Sequence, residues 1–258
     1  MRKRLLTLFL SVVVCICLLT GVAVGETERG DLAERFSDVS RIEYNGTVYS
    51  LRNRITTVLF MGIALDEEVG AKVSDLTALV VLDDNEKKIT PIRLAGNIQM
   101  SVGGVELPLR EVYALGKDRE ESCELMVAAA NALLGEELID DYFAFEIDGA
   151  YVVDGYIPVE GSTEAQLRAL KAYLEQKSLD ELSSQYALLG EYIITDMKSG
   201  AVMKIADKTE RYEMLHSVQL PTLEVAVQQE DQEVTFRRPD AEALVPLLAE
   251  VFYEESKW

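Results

Sequence analysis

Beyond the first 25 residues the chain offers one imidazole and one thiol, and its many carboxylates form few patterned groups. His216 is the only histidine, so any histidine-dependent triad or imidazole-rich metal site must use it, and no serine or cysteine motif surrounds it. Cys123 is the only cysteine other than Cys15 and Cys17, and it falls on the apolar side of a predicted helix, where a thiol is inert packing. The acidic runs Asp66-Glu67-Glu68 and Asp83-Asp84 supply oxygen atoms without the spacing of a calcium-binding loop, and read as solvated charge. What remains is Ala95-Gly96-Asn97, a turn at the end of an apolar strand. Loops at strand ends are where a packed sheet leaves room for chemistry.

That turn depends on the strands behind it. Ile55 to Ile63 and Leu76 to Leu82 are near-continuous apolar runs rich in β-branched residues, too short for helices, as expected of strands covered on both faces. They read as central strands joined by a loop between Ile63 and Ser74, either antiparallel neighbours or linked by a short crossover. A third strand starts at Lys87 and ends at the Ala95-Gly96-Asn97 turn. Before them, Asn45-Gly46 between Ile42–Tyr44 and Thr47–Leu51 predicts a hairpin with a type I′ turn.

Met100 to Gly116, with Gly103-Gly104 and Pro108, reads as a loop region. Asp118 with Glu121 forms a capping box for a helix whose Cys123, Met126, Val127, Ala130, Leu133 and Leu134 share one side, and Gly135 stops it. Strands are expected at Tyr142–Ile147 and Tyr156–Val159. Helical patterns follow from Ser162, through Leu179 to Leu189, and at Ser199–Asp207. Strands at Arg211–Leu215 and Leu223–Val227 precede a last helix from Asp240 to Tyr253. Elements of both kinds around a buried sheet argue an α/β or α+β sandwich.

At the N-terminus, Arg2-Lys3-Arg4 precedes Leu5 to Val24, 20 residues without a charge. That is long enough to cross a hydrocarbon core of ~30 Å as a helix, and the basic cluster keeps its own side in the cytoplasm. Residues 1–25 therefore read as a signal-anchor or signal peptide, 26–40 as a polar linker and 41–258 as an extracytoplasmic domain. With one cysteine in that domain, no disulfide forms within it. The formal net charge is −20, and no acidic residue lies in the first 25, so the domain is more negative still. Such a surface repels a phosphate backbone, and no basic stripe offsets it, which excludes direct nucleic-acid binding.

Val58-Leu-Phe-Met-Gly-Ile63, then Ser74-Asp75-Leu76, then Lys87 to Met100 resemble the LytR-CpsA-Psr family of cell-envelope proteins. The likeness continues through Tyr113-Ala-Leu-Gly116, Glu121 to Val127, Leu133-Leu-Gly135, Ile139-Asp-Asp-Tyr142 and a C-terminal helix ending Phe252-Tyr253-Glu254, and covers most of residues 42 to 254. It implies an α/β fold, a three-layer α/β/α sandwich with a central mixed sheet, preceded by one N-terminal membrane helix. It also implies a domain that grips a polyprenyl pyrophosphate-linked glycan and transfers the glycan phosphate to peptidoglycan, using Mg²⁺, carboxylates and several arginines. The physics is that of phosphoryl transfer, in which cations neutralise a crowded diphosphate and a carboxylate positions the attacking hydroxyl.

By that resemblance Asp75 is the candidate Mg²⁺ ligand, and Arg93, Asn97 and Arg110 are the candidate substrate-binding residues. The departures are specific. Gly96 and Asn97 stand where the family has an arginine and an aspartate, Ala64 stands where it has another aspartate with Asp66 two residues on, and Gln166 lies near an expected arginine with Arg168 close by. Losing an arginine that steadies a transferring phosphoryl group costs ~10³ to 10⁵ in rate. The expectation is an envelope domain, single-pass and outside the cytoplasm, that binds a lipid-linked glycan or an envelope partner without transferring anything. The alternatives are an active glycopolymer phosphotransferase with a rearranged site, and a structural envelope protein without a ligand.

Overall fold

The computed structural model describes residues 41–255 apart from 136, 154–155, 158, 175, 177–188, 210 and 230–231. The expected membrane helix, the linker and the helical pattern from Leu179 to Leu188 lie outside these residues. Among the described residues no helix is long and apolar enough to cross a membrane.

The hairpin β1 (Arg41–Tyr44) and β2 (Thr47–Leu51) turns through Asn45 and Gly46 at φ 51° and 75°, as the Asn-Gly pair predicts. The next strands are longer than the apolar runs. β3 spans Ile55–Asp66 and β4 spans Ala71–Asp83, antiparallel, so the loop expected between Ile63 and Ser74 is instead more ladder closed by a tight turn. Asp66 makes that turn: its Oδ1 accepts from the backbone N–H groups of Glu68 and Val69. β5 (Lys88–Leu94) lies antiparallel to β4 and ends at the expected Ala95-Gly96-Asn97 turn.

Met100–Gly116 is not a loop. β6 (Gln99–Val102) and β7 (Val105–Pro108) form a second hairpin about Gly103 and Gly104, both at positive φ, followed by a helical turn over Leu109–Val112 and a 3-10 turn over Tyr113–Leu115. Helix α1 (Arg119–Leu134) then starts and stops as predicted. Asp118 accepts from the Glu121 N–H, the Glu121 carboxylate reaches back to the Lys117 N–H, and Gly135 ends the helix in the left-handed conformation. β8 (Asp141–Glu146) runs parallel to β3 and leads into a 3-10 segment, Ile147–Val152.

The strand expected at Tyr156–Val159 does not form: Tyr156, Ile157 and Val159 lie in no strand. Pro158, which cannot donate to a ladder, is outside the described residues. Helix α2 (Thr163–Leu174) follows, then β9 (Ile193–Thr195) and helix α3 (Ser199–Thr209). The strand expected over Arg211–Leu215 shrinks to β10 (Glu213–Met214), which with β11 (Val218–Gln219) pairs parallel with β5. β12 (Thr222–Gln229) and β13 (Gln232–Pro239) form a hairpin of their own. Helix α4 (Ala241–Phe252) is capped by Asp240, and Tyr253 leaves it for β14 (Tyr253–Glu255), which pairs with β2.

The principal sheet is mixed, in the order β10-β5-β4-β3-β8-β9 with β11 also on β5. Alternation along its strands feeds two apolar clusters. Leu59, Met61, Leu79 and Ile92 pack with Met126, Leu133, Leu244 and Leu248, whereas Val58, Phe60, Val80 and Phe143 pack with Leu167, Leu170, Val202 and Ile205. Residues of α1 and α4 thus share one cluster and those of α2 and α3 the other, which is why β3 and β4 read as unbroken apolar runs.

Candidate functional site

The register between β3 and β4 slips once. Gly62 pairs with Leu76 and Ile63 with Ser74, so Asp75 is an extra residue at a β-bulge, and its side chain is exposed. Gly62 permits what lies above it. A Cβ there would come within 2.8 Å of the Thr163 Cγ2 and 3.5 Å of the Leu167 Cδ1, so the glycine lets the first turn of α2 settle on the strand. The Thr163 N–H, at the start of that helix, donates to Asp75 at 3.4 Å. A carboxylate in that position complements the helix dipole.

The next residue, Glu164, meets two arginines. Its Oε2 is 3.3 Å from the Arg93 guanidinium and its Oε1 accepts from Arg168 at 2.8 Å. Arg93 comes from inside β5, where its backbone is held between Ala78 of β4 and Gln219 of β11. Asp75 and Arg93 are therefore brought to consecutive residues of α2.

Asn97 and Arg110 form a second group. The Arg110 N–H donates to the Gly96 carbonyl at 3.0 Å, and its side-chain stem covers the glycine, with Cβ 3.2 Å from where a Cβ on residue 96 would stand. The Arg110 guanidinium goes on to pair with Asp66, at the end of β3. The backbone N–H of Val69 above all, then that of Glu68 and the Arg110 guanidinium, hold the Asp66 carboxyl below its ordinary range against the opposing effect of partial burial. Asn97 is exposed, and its carbonyl faces the Arg237 N–H at 3.5 Å.

A third group lies at the end of β8. Glu146 is 6% exposed and sits between the Lys72 ammonium at 3.1 Å and the Arg119 guanidinium at 3.3 Å, with Asp148 3.3 Å from Lys72. Such a buried carboxylate is tolerable only because it is paired. Of these partners, Arg119 opens α1 and carries no sequence signal of its own. Glu164 had one signal, its i, i+4 spacing to Arg168.

No group of three Asp, Glu, His or Cys side chains that could hold a metal gathers among the described residues. Asp75 supplies one carboxylate oxygen pair, where a hard cation takes six or more oxygens. Cys123 is fully buried, and burial pushes its thiol up to about 12, as expected of packing. His216 is exposed. A cleft of ≈ 620 Å³ between the first hairpin and α4, lined by Ile42, Glu43, Tyr44, Glu242 and Val245, contains none of the residues above.

No protein-family model matches the chain, and no curated protein matches it in sequence. Solved structures do match in shape. Lin1025 from Listeria innocua is 12% identical with a TM-score of 0.53, covering 78% of this chain and 99% of its own. TagT bound to LI-WTA is 13% identical with a TM-score of 0.52, covering 77% of this chain and 90% of its own. Bacillus subtilis TagU is 12% identical with a TM-score of 0.51, covering 79% and 99%. The chain has the LytR-CpsA-Psr fold. At these identities the likeness concerns the fold, and function must be argued from the residues.

Proposed function

We propose that this chain is a membrane-anchored, extracytoplasmic LytR-CpsA-Psr-like domain of the cell envelope that holds a polyprenyl diphosphate-linked glycan without transferring it. The observation that carries the reading is the convergence of Arg93 and Arg168 on Glu164, the residue after the Thr163 whose N–H meets Asp75. Two guanidiniums from different elements make a two-point seat for an anion with several oxygens. TagT, of like fold, was solved bound to LI-WTA. The uncharged stretch Leu5 to Val24 behind Arg2-Lys3-Arg4 supports the anchor, with the domain outside the cytoplasm.

The distribution of charge disfavours transfer. Gly96 and Asn97 leave the end of β5 without a guanidinium or a carboxylate, and Arg110, whose stem covers Gly96, delivers its charge to Asp66. A magnesium ion at Asp75 would take most of its oxygen shell from a bound diphosphate and water. The second reading, an active phosphotransferase with a rearranged site, draws on the same convergence of arginines.

The test is binding of a long-chain polyprenyl pyrophosphate to the full chain in detergent micelles, with and without Mg²⁺, beside a transfer assay on the same sample. Binding without turnover is expected, with Arg93→Gln weakening it roughly tenfold, the effect of one charge-assisted contact. Turnover would establish the second reading. Absence of both would leave a structural envelope protein.

A further inference from the structure

We propose that Glu164 is a built-in occupant of the Arg93–Arg168 seat, a carboxylate in the place of a phosphate group, and that it determines which anions the seat accepts. The inference rests on the reading above. Each oxygen of Glu164 meets a different guanidinium, Oε1 that of Arg168 at 2.8 Å and Oε2 that of Arg93 at 3.3 Å. A helical i, i+4 pair accounts for Arg168 but not for Arg93, which reaches the same carboxylate from a strand under the helix. The Glu164 side chain is 16% exposed, so the carboxylate lies within the seat rather than over it.

The charge balance gives the consequence. Glu164 offsets one of the two positive charges of Arg93 and Arg168, and Asp75 adds a second negative charge at the neighbouring Thr163, so among these groups the seat has little net pull on a polyanion. A phosphate or diphosphate group that bridges both guanidiniums at this point must displace Glu164. The glutamate sits in the first turn of α2, and its three side-chain torsions allow the carboxylate to swing out to water while the helix stays in place. Glu164 thus acts as a competitor tethered at high effective concentration, which lowers affinity for every phosphate ligand and leaves only those with further contacts, such as a long apolar chain, able to displace it.

The experiment titrates the full chain in detergent micelles with inorganic pyrophosphate. Glu164→Gln keeps the side chain's shape and removes its charge, and should bind pyrophosphate roughly tenfold tighter than the parent chain. Adding Arg93→Gln to it should abolish the gain. A folded Glu164→Gln chain with unchanged affinity overturns the inference. Should that variant fail to fold, Glu164→Asp, which withdraws the carboxylate by one methylene, should show a smaller gain, and no gain there overturns it equally. A parallel titration with polyprenyl pyrophosphate separates the two readings. A gain for inorganic pyrophosphate with no lipid binding keeps the Glu164 inference and sinks the lipid-linked ligand. Lipid binding that Glu164→Gln leaves unchanged does the reverse.

Discussion

Arg110 and Asp66 close the end of the sheet: the arginine leaves the turn after β7, crosses Gly96 and pairs with the carboxylate that shapes the β3–β4 turn. Asp66 therefore has a folded pKa below its unfolded value near 3.9. A carboxylate lowered in this way contributes stability above the unfolded pKa and loses it as pH falls through the folded one. Asp66→Asn should be less stable than the parent chain at pH 7, and the difference should shrink below about pH 4. Thermal unfolding of both proteins across that range measures it, and a difference that grows on acidification would refute the assignment.

Gly116 and Gly103 should respond differently to alanine. A Cβ on Gly116 would lie 2.4 Å from both the backbone N and the Oγ of Ser122, inside the first turn of α1. Gly116→Ala should cost about 1–3 kcal/mol as overpacking. Gly103 has open space but a φ of 60°, so Gly103→Ala should cost about 1 kcal/mol through backbone strain alone. Urea titrations of the two variants give the order.

Arg52 gathers the end of the chain. Its side chain donates to the carbonyls of Glu250 and Tyr253 at 3.0 and 2.8 Å, and it pairs with Asp83 at 3.0 Å. These are the carbonyls that a helix end leaves without partners. Arg52→Ala should lower stability by about 2–3 kcal/mol, and Arg52→Lys should restore less than half of that, since an ammonium lacks the planar fork. Chemical denaturation decides it.

The buried thiol provides a probe of packing. With Cys123 fully buried and its thiol pushed up to about 12, alkylation by iodoacetamide at pH 8 should spare it in the folded chain and label it fully in urea. Peptide mass spectrometry reads the result, and rapid labelling of the folded chain would show that α1 is not packed on the sheet.

Much of this architecture was legible where one local rule acted alone. Asn45-Gly46 demands two positive φ angles, and Asp118 with Glu121 and Gly135 brackets α1. Gly103-Gly104 was misread because four-residue strands carry too little alternation to outweigh the glycines. β13 was missed because Gln232 to Pro239 is mostly polar and shows no apolar alternation, although the strand expected over Leu223–Val227 is its partner β12. β14 eluded reading because Tyr253 continues the apolar stripe of α4, yet its pairing with Leu51 draws it into a strand. At the site, Asp75, Arg93 and Arg110 were each visible as residues, but the carboxylates that the two arginines meet were not matched to them. Arg93 meets Glu164, and Arg110 meets Asp66, through contacts set by which strands are neighbours.

The pairing of β2 with β14 also fixes an order of assembly. Arg52 and Tyr253 are 201 residues apart, so the three-stranded sheet closes only when Tyr253 to Glu255 are available. Loop closure over such a span is slow compared with forming a hairpin or a helix. A chain emerging from its N-terminus would hold a lone β1–β2 hairpin, marginal by itself, until its final strand arrived. Arrival of β14, rather than formation of the central sheet, is thus the event that seals this domain.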